Sequence, residues 1–255
     1  MNDLEKYFRA NNDRQIHKWI HYFDIYDRHF SGFRNKKVTI LEIGVFQGGS
    51  LQMWKNYFGD QATIYGIDIN PECKNLEEEN ISIFIGSQSD RNFLKSVKQQ
   101  IPKIDILIDD GGHTMSQQII TFEELFDHVS DDGIYLCEDL MTSYWLKYGG
   151  GLKRRGTFIE YSKNFIDFLH GYHSVQKNFG VSSFTKSVDS IHYYDGIIVI
   201  EKKIRTEPVH EKTGKLSYEI PEPAKSSFIY KIYYYSLKKM NVVLRFFRLP
   251  GIILK

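Results

Sequence analysis

The chain lacks the features that mark several protein classes. Its 255 residues include only two cysteines, Cys73 and Cys137, far apart and outside any CxxC or Cys/His cluster. This argues against a disulfide scaffold and fits a reducing compartment. No run approaches the roughly 18 uninterrupted apolar residues of a spanning helix. The opening stretch, "MNDLEKYFRANNDRQIHKW", carries charges throughout and has no apolar signal-peptide core. Together these traits predict a cytoplasmic protein. An excess of one charge is missing too: 33 basic residues against 32 acidic ones leave a net +1, without the basic footprint of a dedicated nucleic-acid binder. Internal repeats and long low-complexity segments are absent.

The pattern that remains is that of an α/β domain with appendages. Apolar residues at mixed three- and four-residue steps (Tyr7, Phe8, Ile16, Trp19, Ile20, Phe23, Tyr26) predict helix from about Leu4 to Phe30. Beyond "SGFRNKK", β-rich runs alternate with helical ones. The strands read "VTILEIGV", "TIYGIDIN", "ISIFIG", "IDILIDD" and "DDGIYLCEDL"; the helices read "GGSLQMWKNYF", "DRNFLKSVKQQI" and "MSQQIITFEELFDHV". A later helix is expected over "FIEYSKNFIDFLHGYH". "SIHYYDGIIVIEKK" reads as two strands joined at Asp195-Gly196. Such alternation implies a doubly wound, mainly parallel sheet with an antiparallel hairpin at its edge. Ligands gather at the carboxyl ends of such strands. Here those ends carry Glu42/Gly44, Asp68, Gly86-Ser87-Gln88, Asp109/Asp110 and Glu138/Asp139.

In "LEIGVFQGGS", glycines stand where a strand turns into a helix and would let the backbone approach a ligand. Asp68, ending the next strand, can accept hydrogen bonds from both hydroxyls of a ribose. A dinucleotide is disfavoured, because Phe46 stands where G-x-G-x-x-G needs its second glycine. The spacing E-x-G-x-x-x-G-G resembles the first motif of class I S-adenosylmethionine-dependent methyltransferases. That resemblance implies donor binding by Glu42, Gly44, Gly48, Ser50 and Asp68, with Gln88 of "GSQSD" near the adenine. A glycine-rich turn of purely structural purpose is the alternative.

"IDDGGH" and "GIYLCEDLMTSYW" together resemble the metal-dependent sugar O-methyltransferases of macrolide pathways and related glycan-cluster enzymes, a pattern shared with the cephalosporin-hydroxylase-like family. "HKWIHYFDIYDRHF" and "IHYYDGIIVIEK" look like the same family, so the resemblance covers about residues 16–203. It implies a Rossmann-like seven-stranded fold and a divalent cation held by Asp110, Glu138 and Asp139. Hard carboxylate oxygens without thiolate or a histidine pair suit Mg²⁺ better than Zn²⁺. His113 would be the general base, and Asp109 would face the charged tail of S-adenosylmethionine. Blander readings stand beside these. The paired aspartates could cap a helix, Glu138-Asp139 could be a solvated loop, and Tyr144 and Trp145 could pack beneath a loop instead of lining an acceptor pocket. "YGGGLKRRG" reads as a basic flap or simply as a solvated loop.

The expected organisation is an N-terminal helical segment (1–35), a catalytic domain (36–204), and a linker with a basic aromatic tail (205–255). Residues 206–227 are polar and proline-bearing and predict an extended or partly disordered linker. From Ala224 onward there is no acid, and Lys231, Lys238 and Arg245 recur every seven residues. This helix is expected to pack on the core or in a homo-oligomer, with peripheral contact to an anionic membrane as the alternative. The activity implied is Mg²⁺-dependent methyl transfer to a sugar hydroxyl of a glycan, capsule or natural-product precursor, free or nucleotide-linked. Rival readings are methylation of a phosphate, amide or amino-acid-derived group, and a non-catalytic accessory protein.

Overall fold

Apolar β-branched residues that are buried on both faces of a strand require helices on both sides of the sheet. The computed structural model, which describes residues 1–176, 179–219, 227–247 and 249–252, has this arrangement. The strands are β1 (Val38–Ile43), β2 (Ala62–Asp68), β3 (Ile81–Ile85), β4 (Ile104–Asp109), β5 (Val129–Cys137), β6 (Val188–Tyr193) and β7 (Ile198–Lys202). They form one sheet in the order β3-β2-β1-β4-β5-β7-β6. The first five run parallel, and β7 pairs antiparallel with both β5 and β6. Helices α1 (Asp3–Ala10), α2 (Tyr22–Phe30) and α3 (Gly49–Phe58) supply residues to the core on one face. The other face carries α4 (Arg91–Gln100), α5 (Met115–Leu125), α6 (Phe158–Ser162), α7 (Asn164–Leu169) and α8 (Ser183–Ser187).

The strand order reverses between β1 and β4, which opens a crevice at their carboxyl ends. The hydrogen-bond ladder continues one residue past the strands. Gly44 donates to Ile67, Asp110 to Ile43 and Glu138 to Asp109, each at 2.9 Å. The chemically equipped ends are thus held level with one another.

The single helix expected over residues 4–30 is instead two, α1 and α2, separated by an irregular passage. Asn11 breaks the pattern: its side chain accepts from Asp13 N–H at 3.1 Å and donates to the Arg14 carbonyl at 2.9 Å, an alternative to helical bonding. The chain then runs across the start of α3, where a Cβ on Gly49 would lie 2.4 Å from the Arg14 carbonyl oxygen. The helix expected over 158–173 is likewise divided, into α6, α7 and a 3₁₀ turn at Gly171–His173. Residues 1–35 are not a separate body, since Leu4, Tyr22, Phe23, Tyr26 and Phe30 share one core with β1 and α3.

Two compact units are seen, Met1–Pro208 and Val209–Lys255. In the second, α9 (Phe228–Phe246) is capped by Ser227, and the Asn241 side chain pairs with the Ile252 backbone at 2.7 and 2.8 Å. Of the expected linker, residues 220–226 lie outside those described. No helix among the described residues is long and apolar enough to cross a membrane.

A buried histidine ties α2 to the hairpin. His29 Nδ1 lies 2.7 Å from Glu201 and Nε2 lies 2.9 Å from the Tyr194 hydroxyl, a pairing that a neutral ring satisfies. Burial pushes the His29 pKa below 6.5, against the opposing pull of Glu201. The unfolded chain therefore takes up this proton first as pH falls, and stability is lost as pH drops below about 6.5. His128, also pushed down by burial, acts in the same sense. Thermal melts between pH 7.5 and 5 should show a shallower acid decline for His29→Gln than for the wild type. Parallel curves would contradict this account.

Candidate functional site

A cavity of about 480 Å³ lies over the ends of β1, β2, β3 and β4. Gly44 forms its floor at φ 96°, where a Cβ would sit 2.0 Å from the Asp110 carbonyl oxygen. Only glycine lets the two strand ends pass so closely. Beside it, Phe46 holds a left-handed backbone with its ring half exposed on the cavity wall.

The residues expected to bind a donor divide by their placement. Gly44, Ser50, Asp68 and Gln88 line the cavity, whereas Glu42, Gly48 and Asp109 do not. Asp68 ends β2 and organises the loop above it: one oxygen accepts from Val45 and Phe46 N–H at 2.9 and 3.0 Å, the other from Asn70 N–H at 2.8 Å. Glu42 is fully buried beneath the cavity, where Ser50 donates to it at 2.7 Å and Trp54 at 3.1 Å. Burial pushes its pKa up to about 7 against the pull of Lys18. Gly48 serves as a left-handed turn packed on Leu76 and Arg14.

Asp109, expected to face the donor's charged tail, turns inward instead. Burial pushes its pKa up to about 7, and its Oδ1 accepts from the Gln88 amide at 3.0 Å. Gln88 also donates to Thr121 at 3.0 Å and accepts from Gly112 N–H at 2.7 Å. One glutamine from the loop after β3 thus fixes the turn that carries Asp110 and His113. On the far side of that turn, Thr114 and Gln117 close a capping box at the start of α5.

Beyond this turn lies a second cavity of about 110 Å³, lined by His17, Lys18, Trp19, Tyr22, Asp110, Glu138 and Asp139. It shares His17, Lys18, Asp110 and Asp139 with the larger one. Ligand atoms of Asp110, His113 and Asp139 fall within 4.8 Å of one another. His113 Nε2 stands 3.7 Å from Asp110 and 3.6 Å from Asp139. Both His113 and Asp139 adopt left-handed backbones, at φ 55° and 54°. Such conformations are costly for residues with a Cβ, and they collect at functional sites. Tyr22 of α2 donates to the other oxygen of Asp139 at 3.0 Å, and Gln118 of α5 donates to the Glu138 carbonyl at 3.0 Å. Glu138 is fully buried, and burial pushes its pKa well up. Asp110 and Asp139 with the adjoining Glu138 offer hard carboxylate oxygens and no thiolate, a donor set suited to a hard divalent cation, with the His113 imidazole beside it. Tyr144 and Trp145 are half exposed and line neither cavity.

The motifs did not disclose Lys18. Its side chain is 3% exposed, and Nζ reaches both Glu138 oxygens at 2.9 Å, Asp110 closely, and Glu42 at 3.8 Å. Burial alone would lower its pKa, but the three carboxylates overcome this and hold the ammonium charged. Tyr22 and the Asn11–Trp19 passage were equally hidden. "HKWIHYF" signalled likeness to a family, but a lysine in an expected helix announces no position in space.

Glycines at the switch point, an acid closing β2 and a seven-stranded sheet with an antiparallel end define a Rossmann-like methyltransferase fold. The comparisons agree: residues 41–140 match the methyltransferase domain family. The chain is 35% identical to demethylmacrocin O-methyltransferase of Streptomyces fradiae over 74% of its own length and 51% of that protein. It is 34% identical to mycinamicin VI 2''-O-methyltransferase of Micromonospora griseorubida, over 72% and 49% respectively. The MycE methyltransferase from the mycinamycin pathway, solved with Mg and SAH, superposes with a TM-score of 0.69 at 31% identity, covering 79% of this chain and 54% of that one. This chain spans about half the length of the curated relatives it matches.

The Gln88 clamp is open to test. Gln88→Ala strands the Asp109 carboxyl and Gly112 N–H, and should cost about 1–3 kcal/mol of stability. Misplacement of the turn by an ångström is worth on the order of a hundredfold in rate. Steady-state kinetics of the methyl transfer proposed below should therefore show kcat falling further than the donor KM rises; a change in KM alone would count against the clamp.

Proposed function

We propose that this chain transfers the methyl group of S-adenosylmethionine to a sugar hydroxyl of a natural-product or glycan precursor, with Mg²⁺ held by Asp110, Glu138 and Asp139. The observation that carries this reading is the pair of cavities with a common wall of His17, Lys18, Asp110 and Asp139. A donor seated in the larger cavity meets an acceptor in the smaller one across the turn that bears His113. The relatives named above support the reading, two as O-methyltransferases and one as a structure solved with Mg and SAH.

A sulfonium donor brings an already activated methyl, and a divalent cation lowers the pKa of a hydroxyl it holds and fixes its direction. The protein's part is alignment and proton removal. His113, held between the two carboxylates, receives the hydroxyl proton at Nε2. Tyr22 fixes the rotamer of Asp139, and Gln88 fixes the turn. Glu42, unable to reach the cavity surface, sets the electrostatics beneath the donor while Ser50 and Trp54 hold it in place. Asp68 keeps the Val45–Phe46 loop in the shape that receives the donor's ribose.

Calorimetry should detect S-adenosylhomocysteine binding and no NAD binding. A screen of sugars and nucleotide-linked sugars should give turnover that EDTA abolishes and Mg²⁺ restores. In the same screen, His113→Ala should bind S-adenosylhomocysteine normally and lose turnover by a factor on the order of 10²–10⁴. Undiminished turnover in that variant would remove His113 from its role. NAD binding in place of S-adenosylhomocysteine would overturn the assignment as a whole.

A further inference from the structure

Three carboxylates from the ends of three strands converge on one buried ammonium. Glu42 belongs to β1, Asp110 follows β4 and Glu138 follows β5. Lys18 reaches them from the irregular passage between α1 and α2, and it is the one cation that contacts all three among the described residues. An uncompensated buried carboxylate is strongly unfavourable, so the buried Glu42 and Glu138, beside the partly exposed Asp110, need a positive charge, which the ammonium supplies when no divalent ion is bound. We propose that Lys18 is a built-in counter-ion of the cation site: its ammonium occupies Glu138 and Asp110 in the empty enzyme, is displaced from Glu138 when a divalent ion binds, and thereby sets how tightly that ion is held. This rests on the proposed cation-dependent methyl transfer and assigns Lys18 as a positioning residue within it.

The partition of oxygen atoms carries the argument. Asp139 has no contact with Lys18; its oxygens face Tyr22 and His113. Asp110 is split, with Oδ2 on Lys18 and Oδ1 toward His113. Both oxygens of Glu138 are taken by the ammonium. Asp110 Oδ1 and Asp139 therefore present themselves to an incoming ion directly, whereas Glu138 joins only if the ammonium yields. The side chain borders both cavities, so the displaced ammonium remains beside the donor cavity and Glu42. Cation uptake and donor-site charge are linked through this one residue.

The test titrates the full chain with Mn²⁺ as the probe, by calorimetry and electron paramagnetic resonance, and follows thermal melts in EDTA and in Mg²⁺. Lys18→Met keeps an unbranched side chain one atom shorter and removes its charge. It should bind Mn²⁺ about tenfold or more tightly than the wild type, since one repelling charge is gone. It should also melt lower in EDTA and recover more of its Tm with Mg²⁺ than the wild type gains. Equal or weaker Mn²⁺ binding by the variant overturns the inference. Absence of Mn²⁺ binding in both proteins overturns the cation-dependent reading itself, and the inference with it. If Lys18→Met does not fold, reductive methylation of the wild type read by mass spectrometry decides the matter. Mg²⁺ should raise modification of Lys18 several-fold over EDTA, and unchanged modification rejects the displacement.

Discussion

The site depends on the parallel register of β2, β1, β4 and β5. Each strand hands a backbone hydrogen bond to its neighbour one residue past its formal end, from Gly44 to Ile67, Asp110 to Ile43 and Glu138 to Asp109. Because side chains alternate along a strand, a slip of one residue in any of these pairings would send the acids to the opposite faces of the sheet. Ile40, Leu41, Ile106, Leu107 and Ile108 are buried on the two faces of the sheet, and the helices packed on them hold this register. Packing of aliphatic residues some distance below the cavity thus determines where Asp110 and Glu138 stand.

That placement creates an electrostatic problem. Glu42, Asp109 and Glu138 are buried, with Asp110 and Asp139 beside them, at the end of an apolar sheet. The molecule answers in three different ways. Burial pushes the pKa values of Asp109 and Glu42 up to about 7, which lowers the cost of keeping them out of water. Glu42 also takes hydrogen bonds from Ser50 and Trp54, and Asp109 from Gln88. Asp110 and Glu138 are answered by the ammonium of Lys18. Asp139 is held by Tyr22 and lines both cavities. Of the acids nearest the proposed chemistry, Asp110 and Asp139 each keep one oxygen turned toward His113, whereas both oxygens of Glu138 are engaged by Lys18.

Much of this was legible in the sequence because it is local. Strand ends are marked by a change from β-branched residues to glycine and acid, and that change located Gly44, Asp68, Asp110 and Glu138 without knowledge of their neighbours. The alternation of strands and helices carried the sheet, and Asp195-Gly196 the hairpin. Contacts between segments distant in the chain were not legible. Asp109 and Asp110 are adjacent and chemically identical, yet one turns inward to Gln88 and the other outward to Lys18. Strand alternation says that they diverge but not which partner waits on each side. The apolar steps of residues 4–30 fitted one helix because two helices with a gap can preserve nearly the same spacing. Asn11, through its side-chain bonds to Asp13 and Arg14, made the break.

That break has functional weight. A continuous helix would carry residues 11–19 away along a straight axis at about 1.5 Å per residue. The irregular passage instead crosses the start of α3, brings Gln15, Ile16 and His17 to the cavity wall and lowers Lys18 among the acids. Helix α2 then resumes at Tyr22, whose hydroxyl reaches Asp139 and whose flank packs under the Gly196 turn of the hairpin. The N-terminal segment is therefore a wall of the site, and the aromatic packing of Tyr26 and Phe30 against Trp54, with Phe23 edge-on to Tyr26, holds that wall in place. Weakening of that aromatic cluster would act on the site through Lys18 and Tyr22, because both are positioned by the chain that the cluster anchors.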